Sequence, residues 1–149
     1  MGLFTETIIA FTVHGLAQPA GSKRGFAFKR QNGSTGVAIS DANPKSREWK
    51  NYVAATARTA YDGPLLRGPL KVYFAFHVPR PKGHYGAKGL RASAPARPAV
   101  KPDVLKLARA VEDALSGVIW NDDAQIVEEY LSKQYAAHAY VEIRIEPIV

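Results

Sequence analysis

Apolar and polar residues alternate cleanly over 70–78. Leu70, Val72, Phe74, Phe76 and Val78 fall on one side; Lys71, Tyr73, Ala75 and His77 fall on the other. A period of two predicts a half-buried strand. Residues 7–13 (TIIAFTV) read as another strand, ended by Gly15 and the stretch Gln18-Pro19-Ala20-Gly21. Residues 25–30 and 36–40 predict a hairpin around Asn32-Gly33, a favoured turn pair. Asn43 as cap and Pro44 as first helical residue start a helix. Its inner face is Trp49, Tyr52, Val53, Thr56, Ala57 and Ala60, and Gly63-Pro64 stops it. A second helix is predicted over 104–116, with Asp103 as its cap and Gly117 closing it. Steps of 100° gather Val104, Leu107, Ala108, Ala110, Val111, Ala114 and Leu115 on one arc. Lys106, Arg109, Glu112 and Asp113 take the other arc, where Leu105 is out of place. After a turn at Asn121-Asp122-Asp123, two strands close the chain. In 125–135, Val127 and Leu131 oppose Tyr130 and Ser132; in 139–146, Val141, Ile143 and Ile145 oppose Glu142, Arg144 and Glu146.

The order β, hairpin, α, β, α, β, β predicts one α+β domain over 1–149, a small mixed sheet packed with two main helices. No repeat and no dividing linker is visible. Residues 79–102 have no period, frequent proline and glycine, recurring cations and no acid. They read as a long, mobile basic loop, a kind of segment that is usually functional or disordered.

The chain has 149 residues, 46% hydrophobic and 22% charged, which excludes a largely disordered chain and permits a core without staples. The absence of cysteine removes thiolate zinc and catalytic thiols, and a reducing cytosol fits it. No apolar run approaches the ~18 residues of a membrane span. The N-terminus lacks the basic region of a secretory signal, so none is expected. Net charge is +7, but residues 1–101 carry +12 and residues 102–149 carry −5. Lys23, Arg24, Lys82, Lys88, Arg91, Arg97, Lys101 and Lys106 are candidate DNA contacts, because cations in loops are free to meet phosphate.

Three carboxylates are candidates for chemistry: Asp103 at the second helix start, and Asp122 and Asp123 in the turn after it. If the following strand pairs near the start of that helix, they meet. Clustered carboxylates repel without a cation between them. Oxygen ligands with little histidine suit Mg²⁺ or Mn²⁺. Such a cation polarises a phosphoryl oxygen and generates hydroxide, the working parts of a nuclease. Arg109 and Lys106 on the exposed arc are candidates to grip phosphate, and Lys133, in an acidic and apolar strand, is a candidate electrostatic partner, aimed at the carboxylates, that holds charge near the phosphate. Each of these residues alone is also an ordinary cap, turn or solvated face. The four histidines show no ligand spacing, and no phosphate-loop, nucleophile-elbow or dinucleotide fingerprint occurs.

The segment 101–133, KPDVLKLARAVEDALSGVIWNDDAQIVEEYLSK, resembles the signature region of the RusA family of Holliday junction resolvases. Lys101-Pro102-Asp103, Leu107, Asp113-Ala114-Leu115, Gly117, Trp120, Asp122-Asp123, Gln125-Ile126 and Lys133 match in order and nearly in spacing. VHGLAQPAGSKRG (13–25) and the Asn43-to-Trp49 helix start are similar as well. The resemblance implies a homodimer that cuts four-way DNA junctions symmetrically with Mg²⁺ or Mn²⁺, in the cytoplasm of a bacterium or phage-infected cell. It implies metal ligation by Asp103 and Asp123 with Asp122 as helper or third ligand, and the helix lysine's role for Arg109. One departure matters. The second aspartate of the family pattern is Leu105 here, and its asparagine is Lys106.

Three function classes therefore remain beside one another. The first is a metal-dependent endonuclease of branched DNA: junctions, flaps or forks. The second is a branched-DNA-binding module weakened in cutting by Leu105. A basic nucleic-acid-binding structural protein is a third.

Overall fold

The computed structural model describes residues 7–21, 23–41 and 44–149, with side chains over 7–21, 27–37 and 44–149. The elements are β1 (Ile9–His14), β2 (Lys23–Lys29), β3 (Thr35–Asp41), α1 (Pro44–Ala60), β4 (Leu70–Pro79), β5 (Tyr85–Gly86), β6 (Gly89–Leu90), α2 (Val104–Leu115), β7 (Ile126–Ala136) and β8 (Tyr140–Pro147). The expected cap Asn43 lies outside the described residues.

The main sheet has the order β1-β8-β4-β7. β8 runs antiparallel to β1 and β4, and β7 runs parallel to β4. A parallel pair needs a crossover, and α2 supplies it. The sheet is therefore mixed, as the element order implied. Burial along β4 follows the alternation of its sequence: Leu70, Val72, Phe74 and Phe76 are buried, and Val78 is half-buried. These residues join Val13, Val141, Ile143 and Ile145 beneath Trp49, Val53 and Ala57 of α1 and Leu107, Val111 and Leu115 of α2. Both helices therefore cover one sheet face. The whole arc assigned to α2 is inside, with Val104 only half-buried at its end.

Three details differ from the expected pattern. On α1, Tyr52 and Ala60 are exposed, and Ala54 is buried instead. The helix packs against both α2 and β1, so its buried arc is shifted around by one residue. In β7, Ile126 pairs with Leu70 and Glu128 with Lys71. Val127 is the extra residue of a bulge and points to solvent. Finally, segment 79–102 is not devoid of regular structure. It holds a 3-10 turn at Lys82–His84 and the minimal hairpin β5–β6. Arg80 Nη1 donates to Pro95 O (2.6 Å), and its guanidinium lies 4.3 Å from the Tyr135 ring centre. Arg91 Nε donates to Tyr85 O (3.2 Å). Two of the loop's arginines thus hold the loop together.

β7 is an edge strand. Glu129 and Lys133 alternate with Leu131 on its helix-side face, and inward charges discourage another chain from pairing there. Burial pushes the Glu129 carboxyl above its usual pKa.

Candidate active site at the start of the second helix

β4 ends at Pro79, and the basic loop returns the chain to the same end of the sheet, where Pro102 and Asp103 precede α2. Asp103 takes the N-cap position with extended backbone (ψ 141°), but its side chain makes no capping hydrogen bond. Its carbonyl accepts from the Lys106 and Leu107 amides, both at 3.1 Å. The carboxylate is exposed and is not committed to the helix. It opens on a pocket of about 480 Å³ with Leu16, Gln18, Pro19, Val78, Lys101 and Lys106 in its walls. The Ala20 amide donates to Lys106 O (2.9 Å) and ties the Leu16–Ala20 segment across the start of α2. Gln18 was not singled out from sequence, because a lone glutamine before proline carries no local signal.

Lys133 reaches this end from β7. Its Nζ donates to Val100 O (2.7 Å) and Pro102 O (3.0 Å). It fixes the strand of chain that presents Asp103, so its ammonium is spent on carbonyls and not aimed at carboxylates. Lys106 and Arg109 are exposed on the outer arc of α2, with Leu105 65% exposed between Asp103 and Arg109. Asp113, on the same helix, is paired to Lys50 of α1 (3.3 Å). Lys82, Lys88 and Arg97 are exposed along the loop. Lys23 and Arg24 belong to β2, but their side chains lie outside the described ones.

Asp122 and Asp123 do not join Asp103 within the chain. β7 starts beside the start of β4, whereas Asp103 follows the end of β4. The 12 residues of α2 stand between them, about 18 Å at 1.5 Å per residue. The expectation that the strand pairs near the helix start is therefore corrected: it pairs at the far end. The pair there does structural work. Asp122 Oδ1 accepts from the Ala124 amide (2.9 Å) and caps the 3-10 turn Asp123–Gln125. Asp123 Oδ1 accepts from Nε1 of the fully buried Trp120 (2.8 Å). Gln125 completes the lock. Its Oε1 accepts from the Asn121 and Asp122 amides, and its Nε2 donates to Leu66 O (2.9 Å) and Gly68 O (3.0 Å). Asp-x-x-Gln is the spacing of a capping box, the signal in the sequence that marks this role. Gln125→Leu should lower unfolding free energy by about 2 kcal/mol, because partly buried carbonyls and amides lose their partner. Urea unfolding of the two proteins checks this.

Among the described residues, no three His, Cys, Asp or Glu side chains stand close enough to hold a metal ion together. One carboxylate beside cations, with room for a phosphate, still suits Mg²⁺, which is commonly held by one or two carboxylates plus substrate phosphate oxygens. No described helix is long and apolar enough to cross a membrane.

A domain with a basic loop and an uncommitted carboxylate at a helix start has the parts used on phosphodiesters. Residues 17–146 match the family described as Endodeoxyribonuclease RusA. The chain belongs to the RusA endodeoxyribonuclease family, whose members are Holliday junction resolvases and are generally dependent on divalent metal. It is 33% identical over 143 residues to the uncharacterized protein YqaN of Bacillus subtilis (strain 168), covering 94% of this chain and 96% of that one.

Proposed function

We propose that this protein is an endonuclease of branched DNA that incises four-way junctions as a homodimer in the cytoplasm, using Mg²⁺ or Mn²⁺. The observation that carries the reading is Asp103: an exposed carboxylate with no capping bond, opening on a pocket walled by Lys101 and Lys106. Asp103 would hold the cation together with phosphate oxygens of the DNA. When bound, the cation supplies Lewis acidity toward phosphorus and lowers the pKa of water. The other steps belong to the chain. Lys106 and Arg109 stabilise charge as it grows on the phosphate. The unpaired amides of the first turn of α2 favour an anion there. Lys133 holds the 100–102 segment in place and acts as a positioning residue. Lys82, Lys88 and Arg97 bind the arms by phosphate contact. The acids Asp122 and Asp123 have no part in this site of the same chain.

A second reading is favoured by Leu105. An exposed leucine two residues after Asp103 is consistent with a module that binds junctions and cuts them weakly. A nicking assay on a synthetic four-way junction with Mg²⁺ or Mn²⁺, beside gel shifts in EDTA, separates the two. Metal-dependent incision is expected. Preferential junction binding over linear duplex without incision would establish the second reading instead, and equal binding to both DNAs without incision would overturn both.

A further inference from the structure

A second pocket, of about 550 Å³, opens beside the edge strand at the end of the sheet where Asp103 lies. Its size is within the range of small-ligand sites. Arg80, Tyr85, Arg97, Gln134 and Tyr135 wall it, with three alanines between them. Some of these groups are committed and others are free. Arg80 is committed: it donates to Pro95 O, and its guanidinium lies on the Tyr135 ring. His84 meets the same ring edge-on, with centres 5.5 Å apart. Tyr135 belongs to β7, so this wall is fixed. Tyr85 is held by its backbone, which pairs with Leu90 and accepts from Arg91 Nε, while the residue stays 48% exposed. Among the described residues, none bonds to the Tyr85 hydroxyl, the Arg97 guanidinium or the Gln134 amide.

The three free groups differ in what they take. An exposed ring offers a face for stacking. A guanidinium with no acid beside it takes a phosphate. A carboxamide sets a donor beside an acceptor, which suits the edge of a heterocycle. Among the described residues no carboxylate lines the pocket, so an anion is not repelled from it. Together these are the needs of a nucleotide whose base has left the helix, since a paired and stacked base has no face to give. We propose that the pocket takes one unpaired nucleobase of DNA, stacked on Tyr85, with the adjoining phosphate on Arg97 and the base edge on Gln134. Its position ties it to the incision site. Val78 walls the Asp103 pocket and Arg80 walls this one, two residues of extended chain or about 7 Å apart. Lys133, the neighbour of Gln134, holds Pro102 O. A strand with its phosphate at Asp103 then has a neighbouring base within reach of the pocket, and the captured base sets which phosphate is presented. That consequence rests on the nuclease reading; capture of the base does not.

Single-stranded DNA octamers in EDTA test the pocket without incision. By fluorescence anisotropy, the unaltered protein should bind a deoxyadenosine octamer roughly tenfold more tightly than the same backbone with its central bases removed. Tyr85→Ala and Gln134→Leu should each reduce that preference severalfold. Tyr85→Phe should keep it, because the ring face does the stacking, and Arg97→Ala should weaken both octamers alike. The three side chains are unbonded, so every variant should melt as the unaltered protein does. Equal affinity for the two octamers, or a preference that survives Tyr85→Ala, would overturn the proposal. A preference that needs Tyr85, in a protein that neither favours nor incises a synthetic four-way junction, would overturn the nuclease reading and leave the pocket standing. Incision of the junction without any preference between the octamers would do the reverse.

Discussion

Asp103→Asn should reduce incision by on the order of 100-fold or more while junction binding stays equal or becomes tighter. The loss follows because a cation that stabilises transition-state charge is worth several kcal/mol, and each 1.4 kcal/mol is about tenfold in rate. Binding does not fall, because the carboxylate repels phosphate whenever no cation lies between them. The variant should also melt as the unaltered protein does, since the Asp103 side chain makes no capping bond to lose. Incision rates, gel shifts and a thermal melt on the same preparation check all three outcomes. Incision at the unaltered rate would remove Asp103 from the site. Leu105→Asp belongs to the same experiment. The side chain is 65% exposed two residues after Asp103, so an added carboxylate costs little folding energy. It should raise incision at low Mg²⁺ by supplying a further oxygen ligand.

The second large effect concerns the basic loop. Junction affinity should fall steeply with salt, and replacing Lys82, Lys88 and Arg97 together by alanine should flatten that dependence. Each phosphate contact removed takes about 0.9 from the slope of log K against log salt on duplex arms. These three cations are chosen because their side chains are exposed. Arg80 and Arg91 hold the loop by bonds to Pro95 O and Tyr85 O, so replacing them would alter the loop's path as well as its charge. Fluorescence anisotropy over a salt series reads the slope directly. An unchanged slope would place the DNA elsewhere.

What was legible in the chain follows from the range over which each signal acts. The alternation in 70–78 and 139–146 is a property of neighbouring residues, and it identified the buried faces of β4 and β8 correctly. The same is true of the arc of α2 from Val104 to Leu115, of Gly117 with its positive φ of 79°, and of the turn at Asn32-Gly33. The family signature in 101–133 was equally readable, and it marked Gln125 and Lys133 without saying what they touch. Lys133 bonds to residues more than 30 positions earlier, and Gln125 to residues almost 60 positions earlier.

By itself the sequence determined an α+β domain of the RusA family, which residues face its core, and that segment 79–102 carries recurring cations and no acid. Only the tertiary structure decided that β7 runs parallel to β4 and begins at the far end of α2. That choice separates Asp122 and Asp123 from Asp103 by the length of a helix, converts them into a capping lock, and leaves Asp103 alone with its cations. It also left one sheet face uncovered by any described element. Periodicity tells each strand which side is inside, but it carries no information about which end of another strand lies beside it. Strand direction and register are settled by the packing of the assembled sheet against both helices.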